Sequence, residues 1–321
     1  MKAAVVRAFD RPPVYDDFEE ATPQRGETVV SVSAAAVSPL VASRASGTHY
    51  SADAALPFVA GVDGVGRTPD GQRVYFAFPK PPFGSMAERV AIAPDLIVSL
   101  PDDLDDATAA AAGISGMSCW VPLTRLARIP PGESVLINGA TGVSGRLAVQ
   151  VAKYLGARKV VATGRDEAKL RALAEIGADV LLPLSQPAEA LRVAVRREAR
   201  ETSIGVVLDY LWGPSAETIL DALGGPSAPR GTSRIRFVQI GSRTGPTVSL
   251  SGAMLRSSGV EIVGSGIGSS TSTELVSGIG EFLNVFTRAR FAVATDVHSL
   301  SDVARYWSGA GSEKRLVLTL P

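Results

Sequence analysis

Residues 138–145 read Asn-Gly-Ala-Thr-Gly-Val-Ser-Gly, and no other stretch constrains the fold of this 321-residue chain as tightly. The string follows a short apolar run, residues 134–137, and opens a helical pattern, residues 145–155. Gly139, Gly142 and Gly145 fall three apart, with Ala140 where the common G-x-G-x-x-G string has its second glycine. A chain turning this tightly from strand into helix brings its backbone close to a pyrophosphate. The helix N-terminus then offers free N–H groups and partial positive charge. Strand-to-helix turns also use glycine for steric reasons alone. Context favours a dinucleotide site: a strand before, a helix after, and a second apolar run at residues 159–162.

Further apolar runs at residues 206–208 and 237–240 alternate with helical patterns, among them residues 166–176, closed by Gly177. Such alternation predicts a doubly wound parallel sheet, an α/β fold. Residues 105–127 are alanine-rich and predict one or two helices, with Gly113 and Gly116 in between. The first hundred residues differ in texture. Strand-period alternation at residues 29–33 is followed by repeated Gly and Pro turn signals, which predicts a compact, mainly β domain. Residues 226–232 predict an exposed loop, and residues 290–321 a strand, a helix and a strand. Length agrees with two domains.

Several function classes are disfavoured. Lys+Arg and Asp+Glu are equal at 32 each and form no long basic run, which argues against nucleic acid as a partner. The one cysteine, Cys119, rules out an intrachain disulfide framework and fits a reducing cytoplasm. With only His49 and His298 beside it, a zinc site has too few ligands, so no metal is expected. Two histidines also leave no credible Ser-His-Asp grouping for a hydrolase. No run approaches the ~20 apolar residues that span a bilayer. The N-terminus turns charged within ten residues and does not read as a signal peptide. The expected location is the cytoplasm.

The end of the second apolar run reads Thr163-Gly164-Arg165-Asp166. An acidic residue there would bind the ribose 2′-OH of NAD, whereas an arginine pairs with a 2′-phosphate. Gly164 holds the acidic position, Arg165 follows, and Lys169 lies one helical turn on, which favours NADPH. The other reading makes Arg165 and Lys169 solvated charges at a helix start, with Asp166 an N-cap or a displaced ribose acid.

These residues resemble the medium-chain dehydrogenase/reductase family, in its zinc-independent, quinone oxidoreductase-like branch. The resemblance rests on the opening MKAAVV, the strand entry Gly26 to Val30, the Ala34 to Pro39 turn and the P-x-x-x-G-x-D-x-x-G signature at residues 57–66. The glycine loop, Ile240-Gly241-Ser242-Arg243 and the closing Lys314 to Leu318 match in order. Zinc alcohol dehydrogenases of the same superfamily carry His-Glu where this chain has Val62-Asp63, and a ligand cysteine near Ser38-Pro39. The resemblance implies a GroES-like mainly β domain at residues 1–117, a Rossmann NADPH-binding domain at 118–266, and a C-terminal segment, 267–321, completing the first. The active site then lies in the cleft between domains.

By position, the resemblance implies that Gly139, Thr141, Gly142, Val143, Ser144 and Gly145 hold the pyrophosphate. Thr163, Gly164, Arg165 and Lys169 would surround the adenosine phosphate. Gly241, Ser242, Gly266 and Ile267 would line the nicotinamide half, and Ser118 stands for a family threonine beside it. Two positions depart: the family's Asn-Pro-x-Asp turn is here Ser38-Pro39-Leu40-Val41, and Leu184 replaces a Tyr or His beside the adenine.

Tyr50 is one residue from a family tyrosine that faces the cleft, which makes Tyr50 the candidate catalytic residue, able to donate a hydrogen bond or proton to a carbonyl oxygen, and His49 competes for the place. A loop aromatic that only covers the substrate reads equally well. Tyr210 and Trp212 either flank the cofactor or pack against the neighbouring helix. The implied activity is NADPH-dependent reduction of a small molecule, a quinone or an α,β-unsaturated carbonyl (enone), by a homodimer joined through edge strands. The alternatives are an enoyl reductase of a lipid or polyketide pathway, and a non-catalytic NADPH-binding sensor or structural protein.

Overall fold

The computed structural model describes residues 1–52, 55–225, 234–309 and 313–320. They form two compact units, one of residues 1–117 with 270–321 and one of residues 118–269. The 226–232 loop expectation lies outside the described residues.

In the first unit a seven-stranded sheet dominates. Its long central strand, Thr28–Val37, pairs antiparallel with Asp63–Arg67, with Arg89–Ile92 and with the C-terminal strand Arg315–Thr319. Thr295–Ser299 adds to that last strand in parallel, and Arg73–Ala77 and Ile97–Ser99 extend the other side. Alternate residues Val30, Val32, Val74, Phe76, Val90 and Ile92 share one buried cluster, as the two-residue strand period requires. Lys2–Val6, Val14–Asp17 and Phe58–Val59 make a separate three-stranded antiparallel sheet.

The second unit is a six-stranded, all-parallel sheet. Its spatial order is Val180–Pro183, Lys159–Gly164, Ser134–Asn138, Ile204–Asp209, Ile235–Gln239, Val260–Gly264. Numbered within the unit this is 3-2-1-4-5-6, the doubly wound Rossmann order, with its topological switch between Ser134–Asn138 and Ile204–Asp209. Leu136, Val161, Val207 and Phe237 on the sheet share a buried cluster with Ile219 and Leu223 of the helix Gly213–Gly224.

Two local readings change. Residues 105–127 form one uninterrupted helix, Asp106–Val121, with a π-type turn at Pro122–Leu126. Gly113 and Gly116 do not break it. A Cβ at Gly113 would overlap the Tyr75 ring, and one at Gly116 the Phe282 ring, so both glycines let aromatic rings seat against the helix. The helix Ser272–Phe286 was not singled out in the sequence. Its signal is the Thr271–Glu274 capping box, present in full.

Candidate functional site

The glycine loop leaves Ser134–Asn138 at the switch point. Gly139 has φ +88°, in the left-handed region, and Leu211 Cγ stands 2.7 Å from where a Cβ at Gly139 would be. Ala140 is fully buried and its N–H donates to the Thr163 carbonyl at 2.8 Å. Gly142 is the N-cap of the helix Val143–Tyr154, and no side chain caps the helix there. A Cβ at Gly142 would meet nothing within 4 Å, so the space before the helix N-terminus is open. Gly145 is the opposite case. A Cβ there would stand 2.5 Å from the Gly139 carbonyl oxygen and 2.6 Å from Ala140 Cα, both backbone atoms. The helix N-terminus with its uncapped N–H groups could therefore receive a pyrophosphate.

The second strand ends beside this loop. Thr163 is fully buried, and its hydroxyl donates to Asn138 Oδ1 at 2.7 Å. Gly164 has a steric reason of its own, since a Cβ would overlap Thr141 Cγ2. An acidic residue could not stand there with Thr141 in place. Arg165 is exposed and makes no hydrogen bond or ion pair among the described residues. Asp166 faces its own helix: Oδ1 accepts the Lys169 N–H at 3.1 Å, so it is the N-cap, and Lys169 Nζ lies 3.9 Å from Oδ2. Leu184 is partly buried against the core, and its N–H donates to the Gly164 carbonyl at 2.8 Å.

Gly241 and Ser242 follow the strand Ile235–Gln239, and the Gly241 N–H donates to the Asp209 carbonyl at 3.1 Å. The Gly266 N–H, one residue before Ile267, donates to Ser269 Oγ at 2.9 Å. Tyr210 donates its hydroxyl to the Ser118 carbonyl at 3.1 Å, and Trp212 packs edge-on against Phe237. Sequence reasoning passed over Asn138 and Asp209, whose side chains are fully buried and bonded to each other at 2.8 Å. The available signal was polar residues closing two apolar strands.

In the first unit Tyr50 is 74% exposed, with its ring 4.2 Å from that of His49. His49 is more defined. The Ser51 N–H donates to Nδ1 at 3.1 Å, so the neutral ring carries its proton on Nε2. Burial, then the nearby Arg44 charge, lower its pKa. Ser38, at the departed turn, caps the helix Pro39–Ala45, its Oγ accepting the Val41 N–H at 3.2 Å. A hollow lined by Phe9, Val41, Arg44, Phe58, Phe78 and Phe83 has a volume of about 30 Å³, room for a water rather than an aromatic substrate. Cys119 is buried, and burial pushes its thiol well above the ordinary range, which suits a core residue. Among the described residues no group of three or more His, Cys, Asp or Glu could hold a metal ion, and no helix is long and apolar enough to cross a membrane.

The family model described as a zinc-binding dehydrogenase matches residues 144–279. Over its full length the chain is 28% identical to the whole of the probable NADPH-dependent quinone reductase tdiC of Emericella nidulans. Across 75% of its length it is 30% identical to a phenolphthiocerol/phthiocerol polyketide synthase of Mycobacterium tuberculosis, of which it spans only 11%. The quinone oxidoreductase of Thermus thermophilus, also solved with NADPH, superposes over 100% of both chains with a TM-score of 0.81 at 24% identity. In sheet order, loop and these matches the chain is similar to the medium-chain dehydrogenase/reductase family. Within that family the likeness is to the quinone oxidoreductases.

Proposed function

We propose that this protein is an NADPH-dependent oxidoreductase that reduces a quinone or an α,β-unsaturated carbonyl without a metal. The observation that carries the reading is Arg165, exposed and unpaired at the end of the second strand beside an uncapped helix N-terminus. When bound, NADPH supplies a hydride from its nicotinamide C4 to the acceptor. The N–H groups of Val143, Ser144 and Gly145 would bind the pyrophosphate. The Arg165 guanidinium, whose fork suits phosphate oxygens, would bind the 2′-phosphate. Gly241, Ser242, Gly266 and Ile267 would line the nicotinamide half, and His49 or Tyr50 would donate toward the acceptor oxygen. The domain division at 117/118 and 266/267, a cytoplasmic location and a homodimer through the exposed edge strand Val260–Gly264 belong to the same reading. Sedimentation of a monomer at micromolar concentration would remove the dimer from it.

The similarity to a polyketide synthase supports one narrower acceptor, an enoyl chain of a polyketide or lipid pathway. The capping role of Ser38 at the departed turn supports the non-catalytic alternative, an NADPH-binding sensor. NADPH and NADH oxidation against quinone and enone panels, with and without a chelator, separates these readings. Arg165→Ala is expected to raise the Kd for NADPH about 10–50-fold and leave NADH within about twofold, the loss of one charge-assisted phosphate contact. Equal weakening of both cofactors would sink the role given to Arg165. Tight NADPH binding with no acceptor reduced would favour the sensor.

A further inference from the structure

Three strands of the parallel sheet end in fully buried polar side chains: Asn138 on the first, Thr163 on the second, Asp209 on the fourth. Buried polar groups persist when they are paired, and these are paired mainly with one another and with two loops. The Gly139 N–H donates to Thr163 Oγ1 at 3.0 Å, and the Thr163 hydroxyl donates to Asn138 Oδ1 at 2.7 Å. Asn138 Nδ2 donates to Asp209 Oδ1 at 2.8 Å and to Ser215 Oγ at 2.9 Å. At the far end Asp209 Oδ1 accepts the Leu211 N–H at 3.1 Å, and both its oxygens accept the Trp212 N–H at 3.1 Å. The Asn138 amide can face only one way in this chain, since Thr163 needs an acceptor and the carboxylate a donor. Among the described residues no cation pairs with Asp209; burial raises its pKa, and the N–H donors of Asn138, Leu211 and Trp212 oppose that rise.

What the carboxylate grips is unusual. Trp212 has φ +57° and ψ −161°, a conformation that glycine adopts freely and tryptophan does not. Such strain persists where the surroundings over-determine it. Here Asp209 takes the Trp212 N–H, while Thr244 Oγ1 donates to the Trp212 carbonyl at 2.9 Å. The same turn lays Leu211 against Gly139 at the start of the phosphate loop. Both walls of the switch point, where a doubly wound sheet binds its ligand, are thus joined through one carboxylate.

We propose that Asp209 is a positioning residue for the dinucleotide. Resting on the dinucleotide-binding reading above, it locks the turn after the fourth strand onto the phosphate loop and so sets the seat of the nicotinamide half. The adenosine half lies over the first three strands and does not depend on that turn. Asp209→Asn can keep its oxygen at the Oδ1 place, accepting from Asn138 and Leu211, but then sets its NH2 where Oδ2 takes the Trp212 N–H. Turning the new amide over instead sets its NH2 against Asn138 Nδ2 and the Leu211 N–H. The exchanged pair Asn138→Asp/Asp209→Asn keeps the hold on Trp212: the new carboxylate accepts from Thr163, Ser215 and the new amide, whose oxygen at the Oδ2 place accepts the Trp212 N–H, and only the Leu211 N–H loses its acceptor.

The experiment measures Kd for NADPH and for 2′-phospho-ADP-ribose, which lacks nicotinamide, on the full chain, with thermal midpoints alongside. Asp209→Asn is expected to weaken NADPH about 10–50-fold and the fragment less than about threefold. The exchanged pair is expected to return NADPH to within about threefold of wild type. If the single variant does not fold, the exchanged pair decides, because a folded pair that binds the fragment but has lost NADPH overturns the proposal. Equal weakening of both ligands by Asp209→Asn, or none, also overturns it. Wild type binding neither ligand would instead overturn the dinucleotide reading and this proposal with it.

Discussion

Gly142→Ala is expected to keep the fold and abolish NADPH binding, whereas Gly145→Ala, three residues away, loses the fold first. The two glycines differ in what a methyl group would meet. At Gly142 it meets nothing within 4 Å, and the backbone, at φ −80° and ψ 170°, suits any residue. Two small terms oppose each other there. Alanine is a poorer N-cap than glycine by about 0.5–1 kcal/mol, and it restricts the unfolded chain by a similar amount. The thermal midpoint is therefore expected to move by no more than a few degrees. The methyl would still occupy the space through which a phosphate reaches the first N–H groups of the helix. The expected result is a Kd for NADPH raised at least about 100-fold, equivalent to about 2.7 kcal/mol.

At Gly145 the methyl meets the Gly139 carbonyl oxygen at 2.5 Å and Ala140 Cα at 2.6 Å. Backbone atoms held by a fully buried strand cannot rotate aside, so the helix must move off the sheet. Overpacking of this kind is expected to cost about 3 kcal/mol. Denaturation midpoints and NADPH titrations of both variants check the pair. A destabilised Gly142→Ala, or a fully stable Gly145→Ala, would show that the loop geometry has been misread.

The same contrast explains how much of this molecule was legible in its sequence. Gly139, Gly142 and Gly145 announced a strand-loop-helix unit because backbone demands at a phosphate loop fix residue type at fixed spacing, and the parallel doubly wound sheet, though not its strand order, followed from alternating apolar runs. Gly113 and Gly116 could be read only as helix interruptions, because their reason is Tyr75 and Phe282, distant in sequence. Gly164 misled in a subtler way. Its place at the ribose position suggests a choice of cofactor, yet Thr141 already excludes a side chain there. The cofactor argument therefore rests on Arg165 more than on the glycine. Asn138 and Asp209 escaped notice for a related reason. A polar residue closing a strand is common, and only three-dimensional pairing distinguishes a connected network from two solvated ends.

Stability of the first unit is expected to fall by about 4 kcal/mol as pH rises from about 4 to 8, and the cause is Asp63. This residue of the P-x-x-x-G-x-D signature is 1% exposed on the strand Asp63–Arg67. Burial pushes its carboxyl from the ordinary 3.8 up to about 7, with the Tyr75 hydroxyl, donating at 2.6 Å, and the Arg315 charge pulling the other way. Arg315 is itself 4% exposed, held by Ser115 Oγ at 2.8 Å and the Val37 carbonyl at 3.3 Å, and burial brings it down to about 10. Because the folded-state pKa of Asp63 lies above its unfolded value, its contribution is complete below pH 4. It is then lost as pH rises through 7, since the unfolded chain gives up the proton first. The rise from 3.8 to about 7 corresponds to about 4 kcal/mol.

Glu20 works in the opposite sense. Arg89 holds its pKa near 2, so what it contributes is present above the ordinary carboxylate range and lost as pH falls toward 2. Asp63→Asn separates the two effects. It retains an acceptor for Tyr75 and removes only the titration, leaving Arg315 beside a neutral group, as in the wild type at low pH. Urea denaturation from pH 4 to 8 is expected to give nearly equal stabilities for the two proteins at the acid end. By pH 8 the variant is expected to be the more stable, by up to about 4 kcal/mol. Parallel profiles across that range would mean that Asp63 ionises at its ordinary pKa, and that the buried Asp63–Tyr75–Arg315 cluster holds a charged carboxylate at no cost.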